Sequence, residues 1–386
     1  MPSEPTICLA GKNEVAVSAL LYLKERCGRM RLVVCKNKTD EGISGWQPSL
    51  VRFAREYGIE IVSLEQAQEI EPLTFISLEF DRIIRPEKFK TDNLYNIHFS
   101  ALPAYKGMYT SALPLLKGET QSGVTLHEID SGIDTGSIIS QIVFEISDTC
   151  TARDLYFLYM HHASELFRNV IDLILSGKRI SARPQSAYGS SYFSKAAIDY
   201  GALKIDTKDT AEGILRQLKA FSFREYQIPR ISGVPVAAWK ITEDRSHSKP
   251  GTFVEVSKDL FCLCSIDYDL MLSRDRSWEW FEWLDSGEDC DPMDLDAGNI
   301  DIMDRNGWTP LIRAAYAGRV KACRILLERG ADPNKTNCNG TTPLMYAYSS
   351  PNTENSQACA AELKRFGADS GARDRFRKSL HDYAHG

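Results

Sequence analysis

The order of secondary structure is indicated by the stretch TICLAGKNEVAV at residues 6–17. An apolar run at residues 6–10 ends at a glycine, and apolar residues with helical spacing follow from residue 13. The same alternation recurs with apolar runs at residues 31–35 and 59–62. Strands that alternate with helices favour right-handed crossovers and a mostly parallel sheet. We therefore expect an α/β, Rossmann-like domain over residues 1–202.

Two further domains are expected after this point. Residues 203–275 contain one helical pattern and then short β-like runs separated by Gly- and Pro-containing turns, which is typical of a small β-rich domain. Farther on, Thr-Pro-Leu-x-x-Ala at residues 309–314 recurs at residues 342–347, 33 residues later. This period and motif are typical of α-helical ankyrin repeats, which we expect over residues 276–386.

Composition restricts the class of protein. The hydrophobic and charged fractions, 43% and 25%, are those of a globular chain. The sequence has no apolar run long enough to span a membrane, and its start lacks the pattern of a secretory signal, so a cytoplasmic protein is expected. Its ten cysteines have no zinc-site spacing, and we expect reduced thiols and no metal. The net charge of −6 argues against nucleic acid as a partner.

Three polar residues are candidates for chemistry. Asn96 and His98 alternate at the end of an apolar strand pattern, so they share one face at the edge where open α/β sheets bind ligands. Asp134 follows in an Asp-Thr-Gly turn, 36 residues after His98. An imidazole titrates near neutrality, an amide can donate a hydrogen bond without changing charge, and a carboxylate can accept a proton.

Four motifs occur in a fixed order: Asn-x-His at 96–98, Leu-Pro-x-Tyr-x-Gly at 102–107, Gly-Val-Thr at 123–125 and Asp-x-Gly at 134–136. In these motifs the chain resembles the formyltetrahydrofolate-dependent formyltransferases, well over about residues 1–200 and weakly over 203–275. The resemblance implies that a neutral amine attacks a formyl donor. His98 would polarise the formyl oxygen or accept the amine proton. Asn96 would donate to the oxyanion, and Asp134 would hold His98 in one tautomer.

The resemblance also implies that the co-substrate is N10-formyltetrahydrofolate and that the protein is a homodimer. It implies no metal. Members of the family bind the pterin ring with two segments of main chain. The residues at these positions are Arg82, Ile83, Ile84, Ser131, Gly132 and Ile133. Without the resemblance, the two neighbouring isoleucines would be assigned to the core.

The segments at residues 80–84 and 101–107 resemble those of enzymes that formylate an amino sugar on a dTDP carrier. The expected acceptor is therefore a sugar nucleotide, dTDP-3-amino-3,6-dideoxyglucose, and the expected process is synthesis of lipopolysaccharide O-antigen. The acceptor-binding candidates are Gly11, Lys12, Asn13, Tyr105, Lys106, Phe223 and Tyr226. For Gly11, Lys12 and Asn13, an ordinary strand–helix turn remains an alternative. For Phe223 and Tyr226, the alternative is an aromatic hinge between domains. A UDP-amino sugar, glycinamide ribonucleotide and methionyl-tRNA also remain open as acceptors.

The ankyrin part has two candidate roles. Concave repeat surfaces usually bind proteins, and a scaffold carrying an inactive enzyme domain is the alternative to an enzyme. Trp308 precedes the first Thr-Pro-Leu motif, with Arg305 and Arg313 nearby in sequence. An exposed tryptophan could stack on a nucleobase and arginines could pair with a diphosphate, so these residues are a candidate second sugar-nucleotide site.

Overall fold

The computed structural model describes residues 4–26, 28, 30–176, 180–245, 247–288, 290–292, 294–295 and 297–385. The chain divides into two compact units. One comprises Met1–Ile43 and Ser49–Arg274, and the other comprises Ser44–Pro48 and Asp275–Gly386. The second unit begins at Asp275 and also includes residues 44–48, which was not anticipated. A boundary between residues 202 and 203 stays a prediction.

The first unit contains a seven-stranded sheet in the order β3-β2-β1-β4-β5-β7-β8. Pairing is parallel from β3 to β5 and antiparallel for β7 and β8. The central strands are almost wholly apolar because both their faces are covered. The strands of this part are β1 Thr6–Gly11, β2 Arg31–Lys36, β3 Glu60–Val62, β4 Leu73–Leu78, β5 Leu94–His98, β6 Lys106–Gly107, β7 Gln121–Glu128, β8 Ile138–Glu145 and β9 Tyr192–Phe193.

Helices connect these strands, and their ends follow local sequence signals. Thr151 caps the longest helix, accepting from the N–H of Asp154, while the Asp154 side chain accepts from the N–H of Thr151. The helices of the first unit are α1 Asn13–Lys24, α2 Leu50–Glu56, α3 Leu64–Glu69, α4 Leu113–Lys117, α5 Ala152–Leu175 and α6 Ala211–Ala220. Among the described residues, no helix is long and apolar enough to cross a membrane.

A second, antiparallel sheet completes the first unit, with the strand order β10-β11-β14-β13-β12. One of its faces packs against α6, where Ile214 and Leu218 meet Leu263, Leu270 and other core residues. Alternate residues of β13 point to this core, as expected for a sheet covered on one face. The strands are β10 Arg230–Ile231, β11 Val234–Arg245, β12 Phe253–Ser257, β13 Leu260–Cys264 and β14 Tyr268–Arg274.

The second unit consists of short helices, α7 Glu279–Ser286, α8 Pro310–Tyr316, α9 Val320–Glu328, α10 Pro343–Tyr348, α11 Thr353–Arg365 and α12 Leu380–Ala384. Thr309 and Thr342 cap α8 and α10, each accepting from the N–H three residues later, and a proline follows each cap. The leucines of both motifs, Leu311 and Leu344, are fully buried. The predicted fold class is therefore confirmed: a mostly parallel α/β sheet, a small antiparallel β part and helical ankyrin repeats.

Within the second unit, the short segment at residues 44–48 pairs with the turn that precedes α8. The N–H of Trp46 donates to the carbonyl of Arg305, and the Sγ of Cys338 donates to the carbonyl of Gly45. A side chain at Gly307 would meet the Gly45 carbonyl oxygen at 2.7 Å, so this approach requires glycine. The nine cysteines that the structure describes are free thiols, and Cys27 lies outside the described residues.

Candidate active site

The candidate site lies at the carboxyl edge of the large sheet. Asn96 and His98 are on β5, and the side chain of His98 is buried, with the residue 8% exposed. Asp134 lies in the loop between β7 and β8, with a φ of 53° in the left-handed region. Aspartate is among the few residues that adopt this conformation with little strain, because its short polar side chain can hydrogen-bond locally.

The three predicted residues meet through Asp134. Its Oδ2 atom lies 3.4 Å from Nδ1 of His98 and accepts a 2.9 Å hydrogen bond from the N–H of Gly107. Its Oδ1 atom accepts from Nδ2 of Asn96 at 3.3 Å. The structure therefore brings Asn96 and His98 together around the carboxylate of Asp134, and the catalytic roles of the three residues stay predictions.

The tautomer of His98 follows from its other nitrogen. Nε2 lies 2.8 Å from the carbonyl oxygen of Tyr105, and because a carbonyl only accepts, Nε2 carries the proton. In the neutral ring, Nδ1 is then the free base, and it faces Asp134. The Tyr105 carbonyl thus fixes the tautomer of His98, whereas Asp134 had been predicted to do so. The carboxylate is placed instead to stabilise the imidazolium.

Burial and charge set the protonation states of this pair. Burial lowers the pKa of His98, and the neighbouring Asp134 carboxylate only partly opposes this. Burial alone would raise the pKa of Asp134, but His98, His127 and the Gly107 N–H together lower it to about 2. At neutral pH the site therefore holds a neutral imidazole beside a carboxylate. This arrangement can accept a proton and stabilise the resulting charge.

His127 belongs to the group as well. It lies opposite Asn96 in the pairing of β5 with β7, its Nδ1 donates to the carbonyl of Glu128, and its Nε2 accepts from Nδ2 of Asn96 at 3.1 Å. The amide N–H groups of Asn96 thus go to His127 and Asp134, which fixes the amide orientation. Donation to an oxyanion, the role expected for Asn96, requires one of these N–H groups to turn toward the substrate.

Of the two segments expected to bind the pterin ring, one follows β4 and the other directly precedes Asp134. Ile83 is 70% exposed and Ile133 is 40% exposed, which is unusual for isoleucine. Ile84 instead packs into the core, so only its main chain is available to a ligand. Arg82 pairs with Glu65 at 3.2 Å. Ser131 and Gly132 are exposed, and the N–H of Gly132 donates to Asp130.

The turn after β1 holds the first acceptor candidates. A side chain at Gly11 would meet the carbonyl oxygen of Leu78 at 2.0 Å, so the close approach of β1 and β4 requires glycine. The N–H of Lys12 already donates to this carbonyl. Asn13 has a φ of 62°, and its Nδ2 donates to the hydroxyl of Tyr156 at 3.0 Å.

The other acceptor candidates are more varied in exposure. The Tyr105 side chain is buried, stacks on Phe193 and donates its hydroxyl to Glu119, while Lys106 is buried against Ser190. Phe223 is buried, and Tyr226, whose ring centroid lies 4.7 Å from that of Phe223, is 57% exposed. The acceptor roles of these residues stay predictions.

The candidate second site lies in the ankyrin unit. The half-buried Trp308 packs against Tyr316 and Tyr346, with ring centroids 5.2 and 4.9 Å away. Arg313 pairs with Asp285 at 2.6 Å, and Arg305 is exposed. Trp308 and Arg313 therefore have different partners in this unit.

Potential metal ligands cluster elsewhere. One group is His161, His162 and Glu165 on α5, and the other is Cys262, Cys264 and Asp269 in the second sheet, each with ligand atoms within 4.8 Å of one another. In the first group the two histidines are adjacent in sequence, and their ring nitrogens nevertheless lie within this distance. Neither group includes Asn96, His98 or Asp134, and the absence of a metal from the reaction stays a prediction.

Comparisons with known proteins match both the α/β part and the ankyrin part of the chain. A family model described as formyl transferase matches residues 51–171, and one described as ankyrin repeats (3 copies) matches residues 280–374. A crystal structure of the N-formyltransferase from Helicobacter canadensis, in complex with folinic acid and dTDP-3-aminofucose, is 40% identical with a TM-score of 0.64. It covers 70% of this chain and 99% of that one. WlaRD, a sugar 3N-formyltransferase crystallised with dTDP and 5-N-formyltetrahydrofolate, is 40% identical with a TM-score of 0.65, covering 71% and 99%.

Methionyl-tRNA formyltransferases are more distant in sequence. The enzyme of Paraburkholderia phymatum is 25% identical over 277 residues, which cover 66% of this chain and 84% of that protein. The enzyme of Alkaliphilus oremlandii is 31% identical over 171 residues, which cover 42% of this chain and 53% of that protein.

Proposed function

Because the chain belongs to the sugar N-formyltransferases and carries ankyrin repeats, we propose that it formylates the amine of a dTDP-linked amino-dideoxy sugar. The formyl donor is N10-formyltetrahydrofolate. The proposal rests on one observation. The chain is 40% identical to an enzyme crystallised with folinic acid and dTDP-3-aminofucose, and the match covers 99% of that enzyme. The group formed by Asn96, His98 and Asp134 supports it chemically.

The reaction follows from the protonation states of this group. The neutral amine attacks the formyl carbon, and Nδ1 of His98 accepts the proton that the amine loses. The Asp134 carboxylate, 3.4 Å away, stabilises the imidazolium. An N–H of Asn96 turns to the oxyanion of the tetrahedral intermediate. Collapse of the intermediate breaks the bond to N10 of the folate, and this nitrogen takes the proton from the His98 imidazolium as it leaves, which returns the ring to its neutral form.

The exposed isoleucines explain how the donor would be held. Ile83 presents apolar surface on the loop after β4, and Ile133 does so on the loop that carries Asp134. A pterin ring is flat and largely apolar on its faces, so contact with these side chains removes apolar area from water. The main chain of Arg82–Ile84 and of 131–133 supplies hydrogen bonds to its edge.

The acceptor is proposed to be dTDP-3-amino-3,6-dideoxyglucose, and the product would serve synthesis of lipopolysaccharide O-antigen. The turn at Gly11, Lys12 and Asn13 would receive the diphosphate, with the Lys12 ammonium as the counter-charge. Tyr226, exposed above Phe223, would contact the nucleotide. The net charge of −6 disfavours tRNA as the acceptor. We propose a cytoplasmic homodimer.

The ankyrin unit is proposed to bind a partner, either a protein or a second sugar nucleotide. Trp308 with Tyr316 and Tyr346 forms an aromatic cluster that favours a nucleobase. Equilibrium binding of the sugar nucleotide to the intact chain decides between the two. Two sites per chain, one lost in Trp308→Ala, would support the nucleotide, whereas one site unchanged by this substitution would leave a protein as the partner.

The function is tested by incubating the purified chain with N10-formyltetrahydrofolate and a panel of amines. The panel contains dTDP- and UDP-linked amino sugars, glycinamide ribonucleotide and methionyl-tRNA. Mass spectrometry should detect addition of one formyl group to the dTDP-linked 3-amino sugar at the highest rate. Formylation of none of the sugar nucleotides would refute the proposal.

A further inference from the structure

A carboxylate that the catalytic group does not use lies beside it. Glu79 follows β4 directly and has a φ of 58°, in the left-handed region. For a residue other than glycine, asparagine or aspartate this conformation is strained, and such strain persists where the surrounding structure enforces it. Both Glu79 carboxylate oxygens accept from the hydroxyl of Tyr156, at 2.8 and 3.0 Å.

Strand register places this residue in the middle of the site. Gly11 of β1 pairs with Leu78 of β4, and Leu78 pairs with Ile97 of β5. The next residues along the three strands are Lys12, Glu79 and His98, which therefore follow one another across the carboxyl edge of the sheet. Neighbouring strands lie about 4.8 Å apart, so about 10 Å separates the first strand of this row from the third.

Side-chain contacts tie Glu79 to both ends of the row. Tyr156, which donates to Glu79, accepts from Asn13 in the turn after β1. The same tyrosine ring lies 5.9 Å from the ring of Phe99, the residue after His98, and 5.5 Å from Phe223. Burial raises the pKa of Glu79, and the nearby Lys12 opposes this rise. A carboxylate has about four lone-pair sites, so beside the Tyr156 hydroxyl Glu79 can still accept a hydrogen bond from a ligand.

We propose that Glu79 is a specificity-determining residue, whose carboxylate accepts a hydrogen bond from the acceptor sugar hydroxyl next to the reacting amine. The inference rests on the proposed function. With the diphosphate at Lys12 and the amine at His98, the pyranose ring lies across the end of β4, next to Glu79. Tyr156 holds the carboxylate in place, and so it is a positioning residue.

The test separates binding of the sugar from binding of the nucleotide. Calorimetry measures the Kd of dTDP and of dTDP-3-amino-3,6-dideoxyglucose, without the folate, for the full chain and for Glu79→Gln. The variant should bind the sugar nucleotide about 10-fold more weakly relative to its binding of dTDP, since the group that accepts the hydrogen bond loses its charge. Tyr156→Phe should show a smaller loss of the same kind. Glu87→Gln, an exposed residue on the same β4–β5 connection, is the matched control.

Kinetics supply a readout that a merely structural role would not move. The ratio of kcat/KM for dTDP-3-amino-3,6-dideoxyglucose to that for dTDP-3-aminofucose, which differ in one hydroxyl configuration next to the amine, should approach one in Glu79→Gln. The KM for formyltetrahydrofolate should not change. If Glu79→Gln retains the wild-type ratio and sugar affinity, the inference is wrong while the proposed function stands. If the wild-type chain binds dTDP-amino sugars no better than dTDP, the inference and the proposed acceptor both fail.

Discussion

Replacing Asp134 by asparagine removes the charge that stabilises the His98 imidazolium while keeping the size of the side chain. The pKa of this carboxyl group falls from 3.8 to about 2 in the folded protein, and this difference corresponds to about 2.4 kcal/mol. Direct attraction between unit charges at the 3.4 Å separation is about 5 kcal/mol at an effective dielectric constant of about 20. The side chain is 13% exposed, so solvent screens this interaction little.

These two values bracket the expected loss of kcat between about 60-fold and about 4,000-fold. Steady-state formation of formylated sugar nucleotide measures it, with thermal unfolding as the check that the variant is folded. The exposed Asp148→Asn is the matched control and should retain the full rate. If a folded Asp134→Asn protein keeps more than about a tenth of kcat, the Asp134 carboxylate does not stabilise the His98 imidazolium during the reaction.

Three other outcomes follow from the structure. His127→Phe should lower kcat about tenfold with little change in either KM, because Asn96 loses the acceptor at 3.1 Å that orients its amide; an unchanged kcat would contradict this role. Since burial lowers the pKa of His98, its ring should titrate below pH ~6.5 when followed by NMR in the free enzyme, and a titration centred above that value would be inconsistent with the assignment. Leu326→Ala, in the core of the ankyrin unit, should lower the free energy of unfolding by about 2–5 kcal/mol in chemical denaturation, and a change below about 1 kcal/mol would mean that this core is not formed as described.

The fold was predictable because its signals are local. The apolar run of β1, the glycine that ends it and the helical spacing that follows need no tertiary information. The Thr-Pro-Leu motif is equally local, since Thr309 caps its helix through an N–H three residues away. The trio of Asn96, His98 and Asp134 was also identified from residue order, because alternation on a strand places the first two on one face.

The details of the site depend on neighbours that are distant in sequence. His127 orients Asn96 because β5 pairs with β7 in one register, and the alternation of polar Thr125 and His127 on β7 was the only sequence signal for it. The Tyr105 carbonyl that sets the His98 tautomer belongs to the main chain, so no residue type indicates it. The left-handed conformation of Glu79 likewise leaves no mark in composition or periodicity.

We propose that this chain transfers a formyl group from the folate to a dTDP-linked amino sugar, with His98 as the general base. The most direct measurement is the mass of dTDP-3-amino-3,6-dideoxyglucose after incubation with N10-formyltetrahydrofolate and either the wild-type chain or His98→Asn. We expect addition of one formyl group with the wild type, and a rate about 10²–10⁴-fold lower for the variant. An unmodified sugar nucleotide with the wild type, or equal rates for both proteins, would contradict it.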